Sequence, residues 1–288
     1  MSKQNILNIK TFNKDKRKPI NKLYNSYSKL DKNWSKEVVT VFKDNNIELP
    51  ILCFSTKHKG NSLYLISGIH GEEPAGPNAI SNNIKFLNKL ARKIHIVLLP
   101  LCNPIGYKKN QRYPDLKNSI GDSEHFLLDL KNKKPRRTKP VSENSLKFTS
   151  YLIKKSKSYK PILVLDLHED EKINANYIYS QGELGKKDPV AIEISKFLNK
   201  KNLGSAKKIK TRFNEIIENN IISNVNDGSI DELLSSKRII NKKIKKGPNA
   251  KSVIVFETMT KNIPLKKRVK IHSEIIRNLG KYLSMIKS

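Results

Sequence analysis

The chain has 288 residues, of which 57 are Lys or Arg and 26 are Asp or Glu, so its formal net charge is +31. With 37% hydrophobic residues it can bury a sizeable core, which argues against wholesale disorder. No stretch approaches the roughly 18 apolar residues of a membrane-spanning helix, and the first residues lack the apolar segment of a secretory signal, so we expect a globular, cytoplasmic protein.

The positive charge comes mainly from lysine, with 48 Lys against nine Arg. Nucleic-acid surfaces usually combine arginine with aromatic side chains, whereas these lysines are scattered along the chain apart from short runs such as 131–137. Lysine, asparagine and isoleucine are the residues that AT-rich codons encode, so genome composition can produce this charge without a selected ligand. A basic nucleic-acid or polyanion binding protein is therefore the alternative of another functional class.

Residues 1–34 are polar with weak periodicity and are expected to form a short helix or an arm, ahead of a single domain at 35–288. Two β-rich runs, 38–43 and 49–55, flank a turn-forming Asp-Asn-Asn segment and predict a hairpin.

Strands and helices then alternate along the chain. The apolar runs predict strands at 62–70, 94–104, 161–168, 176–180 and 252–258. Helical spacing predicts helices at 74–90, 142–157, 189–200 and 269–286, with a further helical segment at 231–240. A long polar stretch, 107–141, is either a functional loop or disordered. Strands with continuous Val, Ile and Leu alternating with helices predict a three-layer α/β fold.

Chemically active side chains fall at the carboxyl ends of three predicted strands, where open α/β sheets bind ligands. His70 and Glu73 follow the first of these strands and can offer one imidazole nitrogen and one carboxylate to a Zn²⁺ ion. His168 ends another strand and would complete a site with an open fourth position, as in catalytic zinc centres. Asp166 lies on the same face of that strand and could orient His168.

Glu257 ends the last predicted strand, delivered to the rim of the sheet by five apolar residues. Beside a metal, such a carboxylate would be a natural general base for the hydrolytic water. The alternative interpretation for each of these residues is an ordinary solvated side chain at a strand end. The other histidines, including His272, have no nearby pattern of metal ligands.

The motifs SGIHGEEPAG, LPLCNPIGY followed by Arg112, LDLHE and FETMT together resemble the M14 zinc carboxypeptidase-like family, including its succinylglutamate desuccinylase and aspartoacylase relatives. The resemblance implies a three-layer α/β/α fold with a mixed, mostly parallel sheet. It also implies that His70, Glu73 and His168 hold the zinc. Glu257 would be the catalytic glutamate, and Arg112 would stabilise the oxyanion, unless Arg112 is an exposed loop arginine.

The sequence departs from the family where an Asn-Arg pair usually grips the terminal carboxylate of the substrate. Here Asp122 is kept, but Glu124 and His125 replace the Asn-Arg pair. A carboxylate would then be held by another cation, such as Arg136 or Arg137, or else the substrate presents an amide or a cationic group.

The sequence thus predicts a zinc-dependent hydrolase that cleaves an amide bond of a small peptide, with an N-acyl amino acid deacylase as the alternative. A positive field around the cleft would favour anionic substrates. The sequence leaves the oligomeric state open.

Overall fold

The chain folds around one mixed β-sheet in the computed structural model, which describes residues 9–115, 118–201, 203–204, 208–223 and 225–287. Parts of three predicted segments lie outside these residues: 1–8 of the N-terminal arm, 116–117 of the long polar stretch, and 202, 205–207 and 224 of the segment after 200. None of the helices in the described part of the chain combines the length and the apolar character needed to cross a membrane.

The strands are β1 (Trp34–Asp44), β2 (Ile47–Thr56), β3 (Gly60–Ser67), β4 (Ile96–Leu99), β5 (Leu128–Asp129), β6 (Lys134–Pro135), β7 (Tyr159–Asp170), β8 (Tyr177–Ser180), β9 (Lys208–Lys210), β10 (Ile216–Glu218), β11 (Ile221–Ser223), β12 (Arg238–Asn241), β13 (Lys243–Lys246) and β14 (Ser252–Met259). The helices are α1 (Ile20–Tyr27), α2 (Ala75–Asn82), α3 (Ile84–Leu90), α4 (Pro104–Lys109), α5 (Glu143–Ser158), α6 (Pro189–Lys200), α7 (Ile230–Ser235), α8 (Leu265–Arg277) and α9 (Leu279–Lys287).

The central sheet has the strand order β1-β2-β4-β3-β7-β14-β8-β11-β10-β9. Its middle strands β4, β3, β7 and β14 run parallel to one another, and antiparallel pairs form both outer sides. The expected fold is confirmed: helices flank a mixed sheet whose parallel strands lie at its centre. The predicted hairpin is confirmed as β1 and β2, where Asn45 takes a positive φ of 55° that asparagine tolerates well.

Successive residues of β7 face opposite helical layers, because side chains alternate along a strand. Leu167 lies against α2, where a Cβ on Gly76 would come 3.0 Å from the Leu167 Cβ. Asp166 and His168 point the other way, toward Asp231 of α7. The site chemistry therefore lies on the α7 side of the sheet.

Two predicted long helices are each interrupted by an asparagine. The helix expected over 74–90 divides at Asn83, whose amide donates to the Ala79 carbonyl and to the Ser273 hydroxyl of α8. The helix expected over 269–286 begins earlier, at Leu265, and divides at Asn278. A side chain that bonds outside the regular helical ladder favours such a break.

The helical segment expected over 231–240 ends at Ser235, and its last residues form β12 instead. β12 pairs with β13 through a tight turn at Lys242, which has a φ of 62°. The spacing of apolar residues in this segment favoured a helix, but the pairing of β12 with β13 outweighs this local preference.

The N-terminal segment contributes to the main core. Ile20, Leu23 and Tyr27 of α1 are fully buried, and the Tyr27 hydroxyl donates to the Pro77 carbonyl at 3.1 Å. Cys53 and Cys102 are buried free thiols.

His272 of α8 is fully buried, and burial lowers its pKa to about 3. An unfolded histidine titrates near pH ~6.5. Between these values the unfolded chain binds a proton that the folded chain does not, so the free energy of unfolding falls as the pH drops from about 6.5 towards 3. The expected loss is up to about 1.4 kcal/mol per pH unit.

The test is denaturant unfolding at pH values from 7 to 4, with His272→Gln as the comparison because glutamine can still bond to Thr258, whose hydroxyl lies 2.9 Å from the His272 ring. The wild type should lose stability more steeply in acid than this variant. Parallel curves for the two proteins would show that His272 has no part in acid unfolding.

Candidate active site

Three neighbouring parallel strands carry the candidate residues at their carboxyl ends. β3 leads into the turn that holds His70, β7 contains His168, and β14 contains Glu257. Glu257 and His168 are direct neighbours in the register of β14 and β7. Residues far apart in the chain therefore meet at one edge of the sheet.

The candidate metal ligands converge through one carboxylate. The Nδ1 atom of His70 lies 2.7 Å from Oε1 of Glu73, and Nδ1 of His168 lies 2.9 Å from Oε2. The two Nδ1 atoms are 3.2 Å apart, and the donor atoms of the group all lie within 4.8 Å of one another. Two imidazole nitrogens and a carboxylate are a donor set that suits Zn²⁺ and leaves a fourth position open, so the residues fit this ion.

The electrostatic environment keeps Glu73 ionised. Burial by itself would raise its pKa, but the nearby His70 and His168 outweigh burial and hold the pKa well below its usual range. Burial lowers the pKa of His70 and favours its neutral form. Burial acts the same way on His168, but Asp166 and Glu73 outweigh it and raise the pKa of this imidazole. Because a metal binds the neutral imidazole, metal binding at His168 competes with protonation of this residue.

Asp166 contacts the far side of the His168 ring. Its Oδ2 atom lies 3.1 Å from Nε2 of His168, and its side chain is fully buried. This contact directs Nδ1 of His168 toward Glu73, as a partner that orients a ligand histidine does. Asp231 of α7, only 4% exposed, lies close to the same pair. Sequence reasoning missed Asp231, because a helical segment rich in acids gives no sign of burial.

Glu257 lies beside His168, and one of its carboxyl oxygens forms no hydrogen bond with a described residue. Its Oε2 atom is buried, and the described residues offer it no hydrogen-bond partner. Burial raises the pKa of this carboxyl well above its usual range, and the negative charges of Glu73 and Asp170 add to the effect. A carboxylate with a raised pKa is a stronger base, which suits proton transfer.

Arg112 reaches the same edge from the loop after α4. Its Nη1 atom lies 3.0 Å from Oε1 of Glu72 and 3.2 Å from Oε1 of Glu73. The side chain is 41% exposed and lines the cleft. A guanidinium in this position can approach a substrate oxygen next to the candidate metal ligands.

The backbone around Gly71 holds the turn of His70 and Glu73 against the Arg112 loop. The Gly71 N–H donates to the Arg112 carbonyl at 3.3 Å, and the Asn103 side-chain amide donates to that same carbonyl at 3.0 Å. A Cβ on Gly71 would lie 2.0 Å from the carbonyl carbon of Gly106. Only glycine permits this approach.

Arg17 of the N-terminal segment also holds the turn of His70 and Glu73 in place, through hydrogen bonds to backbone carbonyls. Its buried guanidinium donates to the carbonyls of Gly71 at 2.8 Å and Tyr107 at 2.7 Å, and it pairs with Asp15 at 2.6 Å. The sequence analysis missed this residue, although arginine is rare in this chain and Arg17 is its first arginine.

The retained Asp122 and the two residues that replace the Asn-Arg pair point in different directions. Asp122 lines the cleft. Glu124 pairs with Arg137 at 3.0 Å, and His125 lies 3.2 Å from the Thr149 hydroxyl of α5. Neither of these two side chains is part of the cleft lining.

The cations suggested as substitutes for that pair are also engaged elsewhere. Arg136 forms two contacts with the carboxylate of Glu232, and Arg137 pairs with Glu124. Neither arginine therefore replaces the Asn-Arg pair as a ligand for a substrate carboxylate.

A cleft of about 940 Å³ opens over the candidate site. Its apolar wall includes Phe213, Ile216 and Ile222. Among the described residues of the lining, the basic side chains are Arg112 and Lys186, whereas the acids are Asp122, Asp166, Glu215, Asp227, Asp231 and Glu257. Acids thus outnumber lysines and arginines in this lining, in contrast to the composition of the chain as a whole.

Replacing Gly71 with alanine should damage the site, because the added Cβ overlaps backbone atoms of Gly106 that cannot move independently. We expect a lower Tm and weaker Zn²⁺ binding, measured by thermal unfolding and by metal titration. Gly280→Ala is the matched control, since its Cβ would meet only Leu90 Cδ1 at 3.4 Å, and alanine favours a helix. If Gly71→Ala retained wild-type Tm and Zn²⁺ affinity, the close approach would have no functional importance.

Part of the chain is similar in sequence to a known catalytic domain and to a carboxypeptidase. Residues 59–189 match the model of the succinylglutamate desuccinylase/aspartoacylase catalytic domain. Carboxypeptidase D of Mus musculus is 29% identical over 130 residues, which are 42% of this chain and 9% of that protein. The chain therefore matches only about a tenth of the length of this curated relative.

Solved structures share the fold across nearly the whole chain. A candidate metallopeptidase from Shewanella baltica superposes with a TM-score of 0.71 at 18% identity, covering 92% of this chain and 90% of its own. A metallo-carboxypeptidase from Burkholderia cenocepacia gives a TM-score of 0.56 at 10% identity, covering 91% of this chain and 67% of its own. Together, the sequence and structure matches confirm the resemblance to the M14 zinc carboxypeptidase-like family, with its succinylglutamate desuccinylase and aspartoacylase relatives, that the motifs indicated.

Proposed function

We propose that this protein is a zinc-dependent hydrolase that cleaves an amide bond of a small peptide. The observation that carries the proposal is the convergence of His70, Glu73 and His168 beside the free carboxylate of Glu257, at the base of a large cleft. A nucleic-acid or polyanion binder would have no use for such an arrangement.

His70, Glu73 and His168 would hold the metal. When bound there, Zn²⁺ would polarise the scissile carbonyl and lower the pKa of the hydrolytic water. Asp166 would keep the ring of His168 in the orientation that presents Nδ1 to the site, through its contact with Nε2 at 3.1 Å. A fixed histidine loses less freedom when the ion binds.

Glu257 would accept a proton from the attacking water and pass it to the leaving amine. Its position beside His168 supports this role, and so does the raised pKa that burial causes, because a more basic carboxylate takes a proton more readily. The same group can then act as the acid in the second step.

Arg112 would stabilise the oxyanion of the tetrahedral intermediate. Its guanidinium lies 3.2 Å from Glu73 and so stands next to the ligand group, where a substrate carbonyl would sit. Removal of one such donor costs about 3 kcal/mol in comparable sites.

The second candidate is an N-acyl amino acid deacylase of the same chemistry. It is supported by the match of residues 59–189 to the desuccinylase/aspartoacylase catalytic domain, whereas the match to carboxypeptidase D supports peptides. The two functions share the ligands, the base and the arginine, and differ only in what the cleft accepts. Screening the zinc-loaded protein against C-terminal peptides, muropeptides and N-acyl amino acids distinguishes them.

Metal analysis tests the proposed ligands. We expect about one Zn²⁺ per wild-type chain, and loss of that ion in His70→Ala and in His168→Ala, because each removes one of the three ligands. His58→Ala, which removes an exposed histidine outside the site, should keep the metal. A folded wild-type protein that takes up no metal would rule out the proposal.

Turnover of Glu257→Gln tests the base, using a substrate found in the screen. Glutamine keeps the shape of the side chain but cannot accept the proton, so kcat should fall by roughly 10²- to 10⁴-fold while zinc occupancy stays near that of the wild type. Wild-type turnover in this variant would mean that Glu257 has a structural role.

A further inference from the structure

Two lysine-rich runs of the sequence, 131–137 and 242–246, belong to two small hairpins outside the central sheet. In one hairpin β5 pairs with β6, and in the other β12 pairs with β13. A bridge between Leu127 and Ile239 joins the hairpins, and the Ile240 N–H donates to the Phe126 carbonyl at 2.9 Å. Two segments that are distant in the chain therefore form one surface. We call residues 128–137 and 238–246 the basic hairpin surface.

Positive charge is concentrated on the basic hairpin surface. Its residues include ten Lys or Arg and one acid, whereas the whole chain has 57 basic and 26 acidic residues. Arg136 and Arg137 pair with Glu232 and Glu124. The other eight basic side chains form no salt bridge with a described residue, and they are Lys131, Lys133, Lys134, Arg238, Lys242, Lys243, Lys245 and Lys246.

The one acid of this surface is engaged in the turn of its own hairpin. Asp129 accepts from the Lys131 N–H at 2.9 Å and from the side-chain amide of Asn132 at 2.7 Å. The cations of the basic hairpin surface therefore repel one another with little compensation from the described residues. Such a concentration of one charge attracts anionic partners.

Lysines also occupy the turns of both hairpins, where the backbone disfavours them. Lys133 has a φ of 52° and Lys242 has a φ of 62°. Asparagine tolerates this left-handed conformation better than lysine does, and seven of the ten described non-glycine residues with positive φ are asparagine. AT-rich codons encode both residues, so genome composition does not explain lysine at both turns. The positive charge at these two positions therefore indicates a function.

Large aliphatic side chains are exposed between the lysines. Leu130, in the turn between β5 and β6, is 80% exposed, the largest exposed fraction among the large hydrophobic side chains of the described residues. Ile244 of β13 is 44% exposed and pairs with Ile240, and Arg238 pairs with Lys246. Directly paired residues share one face of a hairpin, and so do residues two apart on a strand. That face therefore combines an apolar centre with flanking cations.

The hairpins are fixed to the body of the protein. Leu127 and Ile239 are buried together with Phe126 and with Leu233 of α7. The Nη1 atom of Arg136 donates to the carboxylate of Glu232, also on α7, at 2.8 Å. A surface that is already ordered loses less conformational entropy when it binds a partner.

The side chains of this surface favour a lipid bilayer over a nucleic acid. The surface contains no aromatic side chain on which a base could stack, and two of its three arginines are paired with acids. Exposed leucine and isoleucine gain free energy when they leave water for the boundary between headgroups and acyl chains. Lysine stems can lie along this boundary while their ammonium groups stay at the phosphates.

We propose that the basic hairpin surface binds an anionic lipid bilayer. Its lysines contact the phosphates of the headgroups, and Leu130 and Ile244 enter the boundary between headgroups and acyl chains. None of the residues of this surface is among the described residues that line the cleft, so the inference is independent of the proposed hydrolase function.

Cosedimentation of the full chain with vesicles tests the inference. Vesicles of phosphatidylcholine and phosphatidylglycerol in equal amounts supply the anionic bilayer, and vesicles of phosphatidylcholine alone are the comparison. We expect the partition coefficient to be higher by about tenfold or more for the anionic vesicles, because each lysine near an anionic bilayer adds to binding. Binding should weaken as NaCl rises from about 0.1 to 0.5 M. Equal binding to the two kinds of vesicle, or no binding to either, would overturn the inference.

A charge variant locates the binding surface. It replaces the three exposed lysines of β13, by Lys243→Gln, Lys245→Gln and Lys246→Gln. The matched control replaces three exposed lysines of α8, by Lys266→Gln, Lys267→Gln and Lys270→Gln. The β13 variant should bind anionic vesicles about tenfold more weakly than the α8 variant, although both have the same net charge. A similar loss in the two variants would assign the effect to net charge and overturn the inference.

An apolar variant separates a bilayer from other polyanions. Leu130→Ser leaves the charge unchanged and should weaken binding to anionic vesicles by about threefold or more, because it removes an aliphatic side chain that leaves water on binding. Leu146→Ser is the control, since Leu146 is an exposed leucine on α5 outside the basic hairpin surface. Unchanged vesicle binding in Leu130→Ser would overturn the inference.

Duplex DNA is the competing partner. DNA binding that is lost in the β13 variant, in a wild-type protein that does not bind anionic vesicles, would assign the surface to nucleic acid and overturn the inference. The Tm of each variant is compared with that of the wild type. Because the β13 variant and Leu130→Ser change different hairpins, a folding defect in one leaves the other test valid.

Discussion

The parallel pairing of β3, β7 and β14 is the constraint on which the candidate site depends. It fixes His168 beside Glu257, and it brings the end of β3 to the same edge of the sheet. Because side chains alternate along a strand, a slip of one residue in β7 would turn His168 and Asp166 to the α2 side. The burial of the apolar residues on either side of Asp166 and His168 fixes the register of β7. The register in turn determines which polar side chains reach the candidate site.

Around this edge, the polypeptide is tied by contacts that are themselves buried. Arg17 and the Arg112 carbonyl hold Gly71 from two sides. Glu169, next to His168, accepts from the N–H of Ala75 at 2.7 Å and pairs with Arg268 of α8. These contacts join the ends of β3 and β7 to the helices that surround them, so the ligands are positioned before any metal binds.

Acidic residues are concentrated at the cleft of this otherwise basic chain. The chain as a whole carries +31, but six acids and only two Lys or Arg side chains are among the described residues that line the cleft. The net charge of the chain mainly affects solubility and the long-range attraction of ligands. Salt screens interactions between exposed charges that are more than about 10 Å apart. A ligand inside the cleft instead meets the local acids, whose effect is screened less because they are partly buried.

The sequence by itself determined the α/β fold, the hairpin and most strands, because continuous apolar runs and turn residues are local signals. It also singled out His70, Glu73, His168 and Glu257, since each stands at the end of such a run. Tertiary structure alone decided the burial of Asp231, the anchoring role of Arg17 and the strand that replaces the end of the helix expected over 231–240. Each of these three features depends on contacts with residues that are distant in the chain. The positions of those residues follow from packing, so no local pattern of residue types predicts the contacts.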